Sequence, residues 1–171
     1  WMHDPRIDPE TKNIDEWESG RFVCTYNYRP PTTDEFCEDM LKMCVYYGSL
    51  MYPENNLDHV WKYFTQKGFG GYLLYDTDPD TGRPKAKPGF HSGGDMKQKL
   101  FNLTRNYIEM HGKKERHIEY IEQCLAIRGV DQMTKYDLFT ACGGCLLGTE
   151  SSYGEYLQES PDIEIGDILG W

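Results

Sequence analysis

Short apolar runs alternate with helix-periodic segments through the first half of the chain, and that rhythm restricts the available folds more than any other feature. Arg21 to Tyr28 (RFVCTYNY) is dense in β-forming residues and alternates, so it reads as a strand stopped by Pro30 and Pro31. Thr32 and Glu35 stand at capping-box spacing ahead of Phe36, Met40, Met43, Cys44 and Tyr47, a helical stripe that ends at Gly48. Ser49 to Tyr52 reads as a short buried strand. Leu57 to Gln66 reads as a second helix, with Leu57, Val60, Trp61 and Phe64 on one face. After the breakers Gly68, Gly70 and Gly71, Tyr72 to Tyr75 reads as a third strand. Strand, helix, strand, helix, strand predicts an α/β fold with βαβ units and right-handed crossovers onto a parallel core.

The second half reads as more helical. Asp76 to Gly94 is a long loop rich in Asp, Pro and Gly, and loops of that length in compact domains are often functional. Helices are predicted over Met96–His111, Ile118–Ile127 and Thr134–Leu147, the last rich in small residues. From Gly148 the chain is acidic and rich in turn formers. A length of 171 residues suits one domain with a peripheral tail, placed at 1–148 and 149–171. No stretch approaches the apolar length of a membrane span, and the polar, acidic start does not read as a signal peptide. The six cysteines, at 24, 37, 44, 124, 142 and 145, then read as reduced, intracellular and mostly buried as small hydrophobes. Cys142 and Cys145 form a lone CxxC with no second ligand pair to complete a zinc site.

Charge is distributed unevenly. The net charge is −10, yet nine basic residues between Arg83 and Arg116 face only Asp95, Glu109 and Glu115, so this segment carries +6 and the rest −16. That asymmetry fits a local phosphate-facing patch on an otherwise repelling surface; a solvated helix face beside a charged loop accounts for it equally well.

Two places can carry chemistry. Tyr52-Pro53-Glu54-Asn55-Asn56 lies just past a predicted strand and just before a helix, where open α/β sheets place ligand-binding groups. Glu54 can face a crevice there, with Asn55 and Asn56 holding it or a phosphate; alternatively either Asn caps the helix at Leu57. Asp137 falls in the first turn of the last helix, which the helix dipole alone would favour. The small residues Ala141, Cys142, Gly143 and Gly144 imply close packing that would bring Asp137 toward Glu54, and two converging acids make a place for Mg²⁺ or Mn²⁺. His91, in Gly89-Phe90-His91-Ser92-Gly93-Gly94, can cap the following helix or touch a phosphate. His59 and His117 show no ligand pattern. No GxxxxGK[ST] loop occurs, so no nucleotide-hydrolysing site is legible.

The order of these motifs resembles the C-terminal nuclease domain of tailed-phage large terminases. The series comprises RFVCTYNYRPP, Thr-Asp-Glu-Phe, Tyr-Tyr-Gly, Tyr-Pro-Glu-Asn-Asn, Trp-Lys-Tyr-Phe, Tyr-Leu-Leu-Tyr-Asp-Thr, Gly-Phe-His and a late Tyr-Asp helix, over roughly residues 20 to 148. The resemblance implies an RNase H-like mixed sheet flanked by helices, here lacking the opening strand or strands. It also implies a two-metal Mg²⁺ or Mn²⁺ site and cleavage of double-stranded viral DNA during genome packaging in the host cytoplasm. By that likeness Glu54 matches the second family acid and Asp137 the acid of the last helix. Tyr136 stands where the family often has a further Asp. Asp4 and Asp8 match the first acid poorly, which places that acid upstream of residue 1. The implied DNA contacts are Asn55, Arg83, Lys85, Lys87, His91 and Lys97; the implied partners are the terminase ATPase domain, portal and small subunit. The alternative is a non-catalytic RNase H-like module that binds DNA or a packaging partner.

Overall fold

The computed structural model describes residues 21–156 except Leu57 and Pro79, with side chains as far as residue 150. Within them the chain forms five α-helices: α1 (Thr33–Tyr47), α2 (His59–Gln66), α3 (Gly94–His111), α4 (Ile118–Ala126) and α5 (Asp137–Tyr156). Short 3₁₀ turns cover Gly70–Tyr72, Gly112–Lys114 and Val130–Lys135.

The helix ends follow their local chemistry. The Thr32 hydroxyl accepts the Glu35 amide at 3.2 Å and opens α1. Gly48, left-handed at φ 61°, closes it by donating to Cys44 and Val45. α2 starts two residues later than its apolar stripe predicts, behind Asp58, so neither Asn55 nor Asn56 caps it. α5 runs on through Gly148 to Tyr156, past the point where the sequence predicts turns.

The predicted RNase H-like mixed sheet is not there. Among the described residues no strand forms; the isolated bridges include Met51 with Leu73 and Glu54 with Phe90, both parallel, and Thr77 with Pro84, antiparallel, and Arg21 carries a further single bridge. Two physical causes are visible. Pro53, Pro84 and Pro88 have no amide to donate, so each pairing stops after a rung or two. In the first predicted strand the aromatic residues pack on helices instead of lining a sheet. Phe22 is buried edge-on against Tyr107 and Tyr120, at 4.9 and 5.5 Å between ring centres. Its carbonyl also meets His117 Nε2 at 3.3 Å. β-propensity records a preference for half-buried packing, and helices satisfied it here.

Three groups of buried side chains result. Met40, Leu41, Cys44, Phe64 and Leu73 join α1 to α2. Phe22, Tyr107, Tyr120, Leu138, Cys142 and Leu146 join α3, α4 and α5. Phe90, Leu100, Ile127, Met133, Phe139 and Leu147 form the third. The close α3–α5 packing depends on glycine: a Cβ on Gly143 would stand 3.0 Å from Thr104 Oγ1 and 3.1 Å from the Leu100 Cβ. The same face of α5 continues onto the bridged segments, with Gly144 against the Phe90 ring and Gly148 against Tyr52.

Candidate functional site

Glu54 sits where the bridged segments meet. The Phe90 amide donates to the Pro53 carbonyl at 3.1 Å, the Asn55 amide to the Phe90 carbonyl at 2.8 Å, and the Gly89 amide to the Leu74 carbonyl at 2.9 Å. Gly89 is obligatory in this junction. Its φ is +79°, and a Cβ would lie 1.8 Å from the Pro53 oxygen. The junction fixes the backbone on both sides of an exposed carboxylate.

The Glu54 side chain is itself held. Asn56 Nδ2 donates to Glu54 Oε1 at 2.6 Å and to Ser92 Oγ at 2.8 Å. The Ser92 hydroxyl donates to the same Glu54 oxygen. A further acid, Asp76, follows the neighbouring segment and accepts from the Tyr52 hydroxyl and from Lys85 Nζ, the latter at 3.2 Å. Since Met51 pairs in parallel with Leu73, Glu54 and Asp76 stand three residues beyond the same rung. Residues 76–85 close as a hairpin, with the Lys85 amide on the Asp76 carbonyl and the Asp78 amide on the Arg83 carbonyl, both at 2.8 Å. Asp78 Oδ1 accepts the amides of Asp80 and Thr81, and the Thr81 amide leads in holding its carboxyl below the usual range.

The other predicted residues divide. Asp137 is exposed in the first turn of α5, as expected. Among the described residues, however, no hydrogen bond or ion pair joins it to Glu54. Seven residues, about 10 Å of helix axis, separate it from Gly144, which meets the Phe90 ring. His91 is exposed and does not cap α3, whose cap residue Gly93 offers no side chain. Arg83 is exposed and Lys97 half-buried. Lys85 and Lys87 are engaged with Asp76 and Asp58, at 3.2 and 3.4 Å. Lys99 pairs with Glu150 and Arg105 with Glu109. Such exposed pairs are worth about 0–1 kcal/mol, so a phosphate can displace them. Asp4 and Asp8 lie outside the described residues.

Sequence reasoning missed Asp76 and Ser92. The signal for Asp76 was its place after Tyr72–Tyr75, equivalent to that of Glu54 after Ser49–Tyr52. Ser92 was hidden in a glycine-rich run that reads as a helix entry. Among the described residues no group of three His, Cys, Asp or Glu stands ready to hold a metal ion, and no helix is long and apolar enough to cross a membrane. Cys142, half of the CxxC, is buried, and that burial pushes its thiol well above the ordinary range, away from ligand or nucleophile chemistry. No protein-family model matches this chain, and neither a curated protein nor a solved structure matches it.

Proposed function

We propose that the chain is a divalent-metal-dependent endonuclease module acting on double-stranded DNA, with Glu54 and Asp137 as metal-binding acids. The reading rests on the ordered motif series that resembles phage terminase nucleases. It does not rest on an RNase H-like sheet, which the described residues lack. The observation that supports it best is Glu54: an exposed carboxylate on a hydrogen-bonded backbone junction, oriented by two neutral donors, with no ion pair to a cation among the described residues. Mg²⁺ and Mn²⁺ are commonly held by one or two carboxylates, with substrate phosphate and water filling the remaining positions. A single oriented acid therefore suffices to begin a site that DNA completes. Bound there, the metal would activate water and stabilise the leaving oxygen. Lys85 and Lys87, released from Asp76 and Asp58, would meet the phosphate backbone. By the same resemblance the module works in packaging viral genomes inside the host cell, beside an ATPase domain, a portal and a small terminase subunit.

A second reading is binding without cleavage, which the basic segment from Arg83 to Arg116 supports by itself. Supercoiled plasmid incubated with the protein and Mn²⁺ discriminates between the two. Nicking that is abolished by Glu54→Ala and by Asp137→Ala supports the nuclease. Retarded but intact plasmid supports the binding module, and plasmid neither cut nor retarded refutes both.

A further inference from the structure

The capping alternatives for the Glu54 neighbours fail in the structure, and that leaves their side chains with another task. Asn56 stands ahead of α2 but does not cap it; Asp58 occupies the cap position. Ser92 stands one residue before Gly93, the cap residue of α3, which receives no side-chain bond. Both polar side chains turn instead onto one oxygen, Oε1 of Glu54, and onto each other. Donor and acceptor roles close without conflict. The single hydroxyl proton of Ser92 goes to Glu54, its lone pair takes an Asn56 amide proton, and the carboxylate accepts from both.

We infer that Asn56 and Ser92 are positioning residues that clamp Glu54 Oε1 and so present Oε2 alone, making Glu54 a monodentate ligand. The inference rests on the metal-binding reading of Glu54 given above. Two donors on one carboxylate oxygen fix the torsion of the carboxyl plane and reserve the other oxygen. The clamp spans 38 residues of chain, from Glu54 to Ser92, so it couples the 53–56 turn to the entry of α3. Partners of this kind typically change metal affinity by about 10–100-fold when removed.

The test is Mn²⁺ binding by the whole chain with a short DNA duplex whose phosphates complete the site, read from the free-ion electron paramagnetic resonance signal against a duplex-only blank, with urea unfolding in parallel. Wild type is expected to bind Mn²⁺ and Glu54→Gln to lose it. Ser92→Ala and Asn56→Ala should each weaken binding about tenfold with the unfolding midpoint unchanged. Ser92→Thr, which keeps the hydroxyl, should restore it to within about twofold. If Glu54→Gln abolishes binding while Ser92→Ala and Asn56→Ala bind as wild type, the clamp is refuted and the metal reading stands. If wild type and Glu54→Gln bind equally, or neither binds, the metal reading fails and takes the clamp with it.

Discussion

Replacing Gly89 by alanine tests the junction on which the whole site is built. An added Cβ would lie 1.8 Å from the Pro53 carbonyl oxygen, about half an ordinary van der Waals separation, and the atom it meets is backbone. The two segments would have to part by roughly 1.5 Å. That movement breaks the Gly89–Leu74, Phe90–Pro53 and Asn55–Phe90 hydrogen bonds, now 2.9, 3.1 and 2.8 Å. At about 1 kcal/mol net each they total about 3 kcal/mol. Holding alanine in the left-handed region adds about 1–2 kcal/mol. The expected loss is therefore about 4–5 kcal/mol, much of the margin by which a domain of this size is stable. Gly82→Ala separates the two contributions. Gly82 has φ +64° but open space around its Cβ, so it should lose only the conformational part, about 1–2 kcal/mol. Gly71→Ala, with neither positive φ nor close contact, should move by less than about 1 kcal/mol. Urea unfolding followed by circular dichroism measures all three. If Gly89→Ala loses no more than Gly82→Ala, the close approach of the two segments is wrong, and the placement of Glu54 falls with it.

Two further outcomes concern the helical core. Tyr107→Phe should cost about 1.5–3 kcal/mol in urea unfolding, because the Tyr107 hydroxyl donates at 2.8 Å to the buried carboxylate of Glu115. Tyr120→Phe should change stability by less than about 0.5 kcal/mol, since the Tyr120 hydroxyl is buried with no oxygen or nitrogen partner; a reversed order would refute these contacts. Stability should also fall with alkali. Burial raises the Cys124 thiol from its ordinary 9.0 to about 11, so between these values the unfolded chain has given up a proton that the folded chain keeps. The unfolding free energy should hold steady up to about pH 9 and decline toward pH 11. A stability rising over that window would contradict the burial of Cys124.

What was legible follows from how local each signal is. α1 was readable because its start and stop are set by single residues, Thr32 and Gly48, acting on their immediate neighbours. The first turn of α5 and the close packing of its glycines were readable for the same reason. The three predicted strands failed because aromatic-rich runs report only that a segment is half-buried. Whether Phe22 meets a strand or the rings of Tyr107 and Tyr120 is decided more than eighty residues away. The Glu54 site was half legible. Its acid and two asparagines stood together in sequence, whereas Ser92 reaches it through a contact 38 residues distant. The expected meeting of Asp137 with Glu54 was argued from the small residues of α5, which pack against Phe90 at Gly144 and Tyr52 at Gly148, about two and three turns beyond Asp137.

The account turns on Glu54 being the acid through which this chain acts on DNA. The most direct measurement is the initial rate of supercoiled-plasmid nicking as Mn²⁺ is titrated, for wild type and Glu54→Ala matched in urea midpoint. The account predicts saturable, Mn²⁺-dependent nicking by wild type and at least a hundredfold loss in Glu54→Ala, about 2.7 kcal/mol of transition-state stabilisation. Equal rates for the two proteins, or no nicking by wild type at any Mn²⁺ concentration, would contradict it.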